Sequence, residues 1–554
     1  MSKLSPFSKG LLLFFALNLI PRALFLGYQG DEGEYLVQSM LVSRGQTPIV
    51  DFFVFNNQVN FYYFYGLFIR LLGHHFWAIR LVSAAVSLAT ILVMLHTLET
   101  LLPNSPRKKL WLALPVIGFY ASTIFFPYTV MILHILPAIF SLACMSSSLL
   151  FLERALRQGR HREIFFLSFT SWFFFSAAFF FRSLVLFAGI PLLAYFFFFS
   201  LGPRLHNRRE RFICGIASCL GGILPALPSL YILTQAPQAF FFNLFKIRML
   251  FQQSNSAGTW TTHLIQNLKE FIFGWPWVDL FVRFPLWLKV SALLQCLPEL
   301  LLLGLIILSI GAVRRRNVSR DMWKNPAFLV LAGGAILIAG FIFCQKFQNL
   351  GYYAPALFLF YCAVPFLLEQ GSSHAGNPAA LPLIRWHKNA WCAIGLLMIR
   401  FMVHNIGSVV FSRNPRSSRS PQTLSRITET VRPHVKPGDL ILEYEGLTTF
   451  LLDLTPPAGF AQMAGTRALW LTFSEEEMAR HRAFSLQEAE RWIRSRRFSA
   501  VVIPEEVIEP LDHRLLEILR QKYKLYLSLN GTSVFLPPDE KPAQSGASLP
   551  RHSG

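Results

Sequence analysis

Runs of about 18–25 apolar residues recur along the whole sequence, each long enough to cross a hydrocarbon core about 30 Å thick. Inside such a core every backbone polar group has to be satisfied within its own segment, so these runs are expected to be helices. The fold class read from them is a polytopic α-helical membrane protein. Composition agrees: 53% of the 554 residues are hydrophobic and 15% are charged, where a soluble chain carries roughly 25% charged residues.

Spans are expected near 10–27, 77–98, 110–126, 129–152, 164–181, 183–201, 212–233, 286–310, 326–344, 352–369 and 389–411, about eleven in all. The net charge of +21 sits in short segments between them: "PRKK" (106–109), "ERALRQGRHRE" (153–163), "PRLHNRRER" (203–211), "RRRNVSRDMWK" (314–324) and "RWHK" (385–388). Short Lys/Arg-rich connections mark the cytoplasmic side. With alternating crossings and a cytoplasmic N-terminus, all five clusters fall inside. The loops at 28–76, 234–285 and 345–351, and everything after 411, then fall outside. The basic balance thus records topology and contact with anionic lipid headgroups, and nucleic acid is not an expected partner. The seven cysteines (144, 214, 219, 296, 344, 362 and 392) fall within expected spans without a CxxC pair, which supports neither a disulfide framework nor a thiolate metal site. Lys3 and Lys9 precede an apolar stretch with no small-residue cleavage site after it, so an uncleaved first span is expected.

Three regions follow. Residues 1–411 form the transmembrane domain, whose first outer loop, 28–76, is patterned rather than plain. Within it Leu36, Val37, Met40 and Leu41 recur at helical spacing, and "VNFYYFYGLFIRLLG" is aromatic and rather short to span; two helices lying in the membrane interface fit both segments. Residues 412–536 read as a small soluble α/β domain outside the cytoplasm. Its strands are expected at "DLILEY" and "FSAVVIP", its helices at "SRITETVRPHV", "SLQEAERWIRSR" and "LDHRLLEILRQKY", and a hairpin turning on Asn-Gly in "KLYLSLNGTSVFLP". Residues 537–554 are expected to be disordered.

The chemistry concentrates in "YQGDEGEYLVQSMLVSRG" (28–45), where Asp31, Glu32 and Glu34 stand directly at the mouth of the first apolar run. A carboxylate becomes costly a few ångströms deeper in the bilayer, so its presence there needs a reason. One reading is local: Asp31 and Glu34 can form a capping box for a helix beginning at 32. That leaves Glu32 unexplained, and also Asp51 on the same loop. Acids beside aromatic residues on an outer surface are what a general base requires, since partial desolvation raises carboxylate basicity. On the same side Lys246, Arg248 and Lys346 are cations that can neutralise a phosphate. Arg182 lies between two apolar runs, where a snorkelling role is the simpler reading, and Lys346 can equally be an interfacial anchor. Arg80 opens the second span and carries a weaker signal. His residues show no metal-ligand spacing, and no phosphate loop or serine elbow is present.

The sequence "GDEGEYLVQSMLVSRGQTPIVDFF", followed by "FYYFYGLFIRLLG" and "AIRLVSAAVSLATILV", resembles the opening of the GT-C integral-membrane glycosyltransferases. It is nearest to the branch of protein O-mannosyltransferases and bacterial aminoarabinose transferases. "QKFQNLGYYAPALFLFYCAVPFLL", with Tyr352 and Tyr353, is similar to the family's basic-aromatic segment before a late span. The resemblance covers the whole chain in layout and about 70 N-terminal residues in motif. This chain departs from it at "NNQVNFYY", where relatives often carry a proline step, and at Leu350-Gly351, where a His often precedes the Tyr.

The resemblance implies an inverting transferase of the bacterial plasma membrane. It would move a sugar from a polyprenyl-phosphate donor to an extracytoplasmic hydroxyl on a glycan, lipid or protein. By analogy Asp31 is the general base and Glu32 orients it or the acceptor. Asp51, Lys246, Arg248, Lys346, Arg182, Tyr352 and Tyr353 are candidate substrate contacts. The sequence leaves metal dependence open: Asp31 with Glu32 could hold a divalent cation, although no full ligand set is visible. Two other readings stay open: a non-enzymatic transporter or flippase of lipid-linked sugar, and an O-antigen polymerase or ligase.

Overall fold

A computed structural model of the chain describes residues 4–25, 30–54, 59–123 (apart from 104 and 106), 136–158, 160–182, 185–195, 208–243, 326–344, 354–372, 390–403, 420–461, 473–481, 483–504 and 510–538, with a few single positions between them. The first helices are α1 (Pro6–Phe25), α2 (Gly30–Ser43), α3 (Val59–Leu72), α4 (Phe76–Leu101) and α5 (Lys108–Thr123). Four helices among the described residues are long and apolar enough to cross a membrane: Pro6–Phe25, Phe76–Leu101, Arg162–Phe181 and Arg211–Gln235. Shorter apolar helices occupy Leu136–Leu152, Ala327–Gly340, Ala354–Glu369 and Ala390–Val403. The expected spans thus coincide with helices wherever they are described, and the one at 286–310 lies almost wholly outside the described residues. The span expected at 212–233 is interrupted by a 3₁₀ turn, Leu224–Ala226, where Pro225 has no N–H to give.

The chain divides into two compact units. The first comprises Met1–Arg22, Ser83–Pro228 and Ser256–Gly407. Its core is aliphatic and aromatic, with Phe15, Leu95, Trp111, Phe119, Phe358 and Tyr361 nearly devoid of solvent contact. Polar groups there bond both within a helix and between helices. Thr90 and Thr97 donate to the carbonyls of Val86 and Val93 one turn back, at 2.8 and 2.7 Å. The Glu99 carboxylate accepts from Ser5 N at 3.0 Å and Ser8 Oγ at 2.6 Å, closing the start of α1.

The second unit comprises Ala23–Val82, Ser229–Asn255 and Ser408–Gly554, so the first loop and the C-terminal region pack as one body. Both helices expected in the loop are present. They approach closely: a Cβ on Gly66 of α3 would stand 2.9 Å from the carbonyl oxygen of Ser39 on α2. Tyr35 and Phe61 meet edge to face at 5.2 Å. The C-terminal region carries a four-stranded sheet, β1 (Ile441–Glu443), β2 (Ala500–Pro504), β3 (Lys524–Leu529) and β4 (Thr532–Leu536), in the order β1-β2-β4-β3. β1 and β2 run parallel and the other pairs antiparallel. Asn530 (φ 51°) and Gly531 (φ 78°) turn the hairpin, the left-handed pair that a two-residue connection requires. Helices Pro421–Val431, Leu486–Arg494 and Pro510–Lys522 fall on the segments expected for them.

Two sequence expectations are corrected. The helix was expected to begin at 32 with Asp31 as its cap, but α2 begins at Gly30, which places Asp31 inside the first turn. The loop pattern also suggested one buried face, whereas Glu32, Glu34, Gln38 and Ser39 are buried along with Leu36, Val37, Met40 and Leu41. The reason is that α2 is surrounded by α3 and by the C-terminal domain, so its polar residues are enclosed and must find partners inside the protein.

Candidate active site

The acid-bearing turn is held by an ion pair. Arg80, near the start of α4, donates from Nε to Glu32 Oε1 at 2.8 Å and from Nη2 to Glu32 Oε2 at 2.7 Å. This is the parallel two-bond geometry that a guanidinium and a carboxylate favour. Both residues are almost fully buried, at 2% and 1% exposure. The guanidinium also lies over the ring of Phe76 at 4.3 Å and near that of Trp77 at 5.7 Å, which shields its other face from water. A cleft of about 480 Å³ bounded by Leu24, Phe25, Trp77, Pro421 and Gln422 opens beside the same tryptophan.

Asp31 immediately precedes this anchored residue on α2. Its backbone position is therefore set by the Glu32–Arg80 pair and by the helix that both acids share. As an acid in the first turn, it stands where the helix dipole favours negative charge.

The other expected residues divide into three groups. Asp51 is exposed, and its carboxylate accepts from Thr47 N at 2.6 Å, closing the turn in which it stands. Arg182 is half-buried at the end of helix His161–Phe181, its backbone N–H on the carbonyl of Ala178 at 2.8 Å. It belongs to the first unit, whereas Asp31, Glu32 and Asp51 belong to the second. Lys246, Arg248, Lys346, Tyr352 and Tyr353 lie outside the described residues, as does the expected tail beyond 538.

The C-terminal domain contributes residues that the sequence did not single out. Gly33, next to Glu32, faces the backbone of Glu445 and Leu447; a Cβ there would stand 2.9 Å from Leu447 N and closer still to the Glu445 carbonyl oxygen. Further along α2, Gln38 Nε2 donates to the carbonyl of Ala461 at 3.3 Å. Arg44, just past the helix end, pairs with Asp453 and donates from Nη1 to Thr455 Oγ1 at 3.2 Å. His74 reaches the same Asp453 at 3.3 Å. Burial holds the His74 imidazole below its usual range, against the opposing pull of the Asp453 carboxylate. The only available sequence signal was the double glycine in "GDEG" and "YEGL", which gains meaning once the two segments meet.

Solved structures with the same architecture exist. The crystal structure of ArnT from Cupriavidus metallidurans bound to undecaprenyl phosphate superposes with a TM-score of 0.58 at 13% identity, covering 96% of this chain and 97% of that one. The apo state of the same protein gives 0.56 at 12% identity, with 96% of each chain covered. The chain shares the fold of these two structures. At that identity the likeness is one of fold, and it extends from end to end. No protein-family profile and no curated protein matches the sequence.

Proposed function

We propose that the chain is a membrane glycosyltransferase that moves a sugar from a polyprenyl-phosphate-linked donor to an acceptor hydroxyl outside the cytoplasm. It would reside in a bacterial plasma membrane, with the N-terminus cytoplasmic and the C-terminal domain on the outer side. The observation that carries the reading is the buried Glu32–Arg80 pair, which fixes the turn bearing Asp31 within a GT-C fold.

In this mechanism the Asp31 carboxylate takes the proton of the acceptor hydroxyl as its oxygen attacks the anomeric carbon. The bond from that carbon to the phosphate oxygen breaks, and the phosphate leaves with the electron pair. One displacement inverts the anomeric centre. The leaving phosphate is a weak base and needs no acid catalyst; cations that meet its charge suffice, and Lys346, Arg248 and Lys246 are the candidates, with Arg182 behind them. Glu32 acts through position: both its oxygens accept from Arg80, which orients the turn bearing Asp31. Asp31 with Glu32 could hold a divalent cation, and loss of turnover on adding a chelator would reveal it.

The deciding experiment follows sugar release from radiolabelled undecaprenyl-phosphate-linked pentoses and hexoses in membranes carrying wild-type protein or Asp31→Asn. Loss of turnover in the variant at normal expression is the expected result. Equal turnover in both would remove Asp31 from the mechanism. Uptake or flipping of labelled lipid by the wild type without sugar release would favour the transporter.

A further inference from the structure

We propose that the Glu445–Gly446 turn of the C-terminal domain is a positioning element of the transfer site, holding the first turn of α2, and with it Asp31 and Glu32, in working register. The inference rests on the function proposed above and names residues that it does not use.

The contact is backbone against backbone. A Cβ on Gly33 would collide with the carbonyl oxygen of Glu445 and stand 2.9 Å from both Glu445 C and Leu447 N. None of these atoms is the end of a flexible side chain, so the helix or the turn would have to move. The opposite residue is equally restricted. Gly446 adopts φ +75°, and a Cβ there would stand 3.0 Å from Gly33 C, 3.1 Å from Gly33 O and 3.2 Å from Val37 Cγ2. Two glycines, far apart in sequence, are therefore needed for one approach.

The turn is itself fixed from within. Glu443, at the end of β1, is buried, and its Oε1 accepts from Thr448 N at 2.9 Å. Its Oε2 accepts from Thr449 N and Thr449 Oγ1, each at 2.6 Å. The carboxylate thus bridges the strand to the short helix Leu447–Leu451 that follows Gly446 and closes the loop between them. Gly33 and Val37 recur at the spacing of one helix face, and both meet the C-terminal domain, as does Arg44 just past the helix end. Glu32 meanwhile is tied to Arg80. A helix held on one side by a glycine contact and on another by an ion pair has little freedom to rotate or slide. A misplacement of about 1 Å at a reacting group can cost about 100-fold in rate.

The test uses full-length protein with Gly33→Ala, Gly446→Ala and Glu443→Gln, and Gly222→Ala as control because a Cβ there meets nothing within 4 Å. Two readouts are taken: amide hydrogen exchange of peptides covering residues 30–43, and kcat and donor KM per active enzyme with the undecaprenyl-phosphate-linked donors. In Gly33→Ala and Gly446→Ala, exchange should quicken about tenfold or more and kcat fall at least tenfold, with donor KM within about threefold of wild type. Glu443→Gln should move both in the same direction by less. A purely structural role would lower the active fraction and leave kcat per active enzyme unchanged, which overturns the proposal, as would unchanged exchange. Quickened exchange in a protein whose wild type turns over no donor would uphold the clamp on α2 and overturn the glycosyltransferase reading instead.

Discussion

The two units hold their buried polar groups by different means. In the first, neutral donors carry the contacts: Thr90 and Thr97 return to carbonyls of their own helix, Ser176 reaches the Gly222 carbonyl, and Ser8 donates to Glu99. Glu369 accepts from Trp111 Nε1 at 2.8 Å at the margin of an otherwise apolar core. In the second, charge and backbone contacts join segments remote in sequence: Glu32 to Arg80, Gly33 to Gly446, Arg44 to Asp453. The first arrangement joins helices through neutral donors. The second needs several separate stretches in place at once, which is the cost of holding an acid at a defined point.

The sharpest way to break this contrast is Arg80→Ala. It strands a buried carboxylate, and stability should fall by about 3–5 kcal/mol in thermal unfolding in detergent, with transfer abolished. Arg80→Lys keeps the charge but loses the two-bond fork, and should recover folding better than turnover. A folded, active Arg80→Ala protein would show that the pair is dispensable.

Glu443→Gln comes next, at about 1–3 kcal/mol, because it turns an amide N–H₂ toward backbone donors. Burial raises the Glu443 carboxyl above its ordinary 4.5, while the bonds from Thr449 and Thr448 pull it down. With the folded value raised, the folded protein keeps a proton that the unfolded chain has already lost. The contribution is therefore full below about 4.5 and fades as pH rises through the raised value. The stability gap between wild type and Glu443→Gln should narrow with rising pH; a gap that widens contradicts the assignment.

Smaller again is Arg44→Ala. The Arg44–Asp453 pair is part-exposed, so its loss should cost roughly 0.2–1 kcal/mol and less at high salt. Smallest is Glu369→Gln in the first unit, which keeps an acceptor for Trp111 and should change unfolding by less than about 0.5 kcal/mol without touching turnover. If that change proved as costly as Arg80→Ala, the distinction between the units would fail.

What the sequence revealed divides by distance along the chain. The spans, the Asn-Gly hairpin and the helices of the C-terminal domain were legible because each is written in consecutive residues. The adjacency of Asp31 and Glu32 was also visible, along with the motif around it. Arg80 was read only as a weaker signal, since its partner lies 48 residues earlier. The expected cap at Asp31 failed because a helix start depends on what packs around it, and α2 is enclosed by elements from elsewhere in the chain. Glu443 gave no signal at all. An acid ending a short strand looks exposed until the turn beyond it folds back, and the short helix Leu447–Leu451 was not foreseen.

The pairing of Gly33 with Gly446 also sets an order in time. A ribosome adding about 5–20 residues per second needs roughly 20–80 s to travel from one glycine to the other. Throughout that interval the acid-bearing helix exists without the surface that completes it. On the function proposed above, newly inserted chains would remain unable to transfer sugar until the C-terminal domain has been made and packs on α2. A truncated product would be idle rather than unregulated.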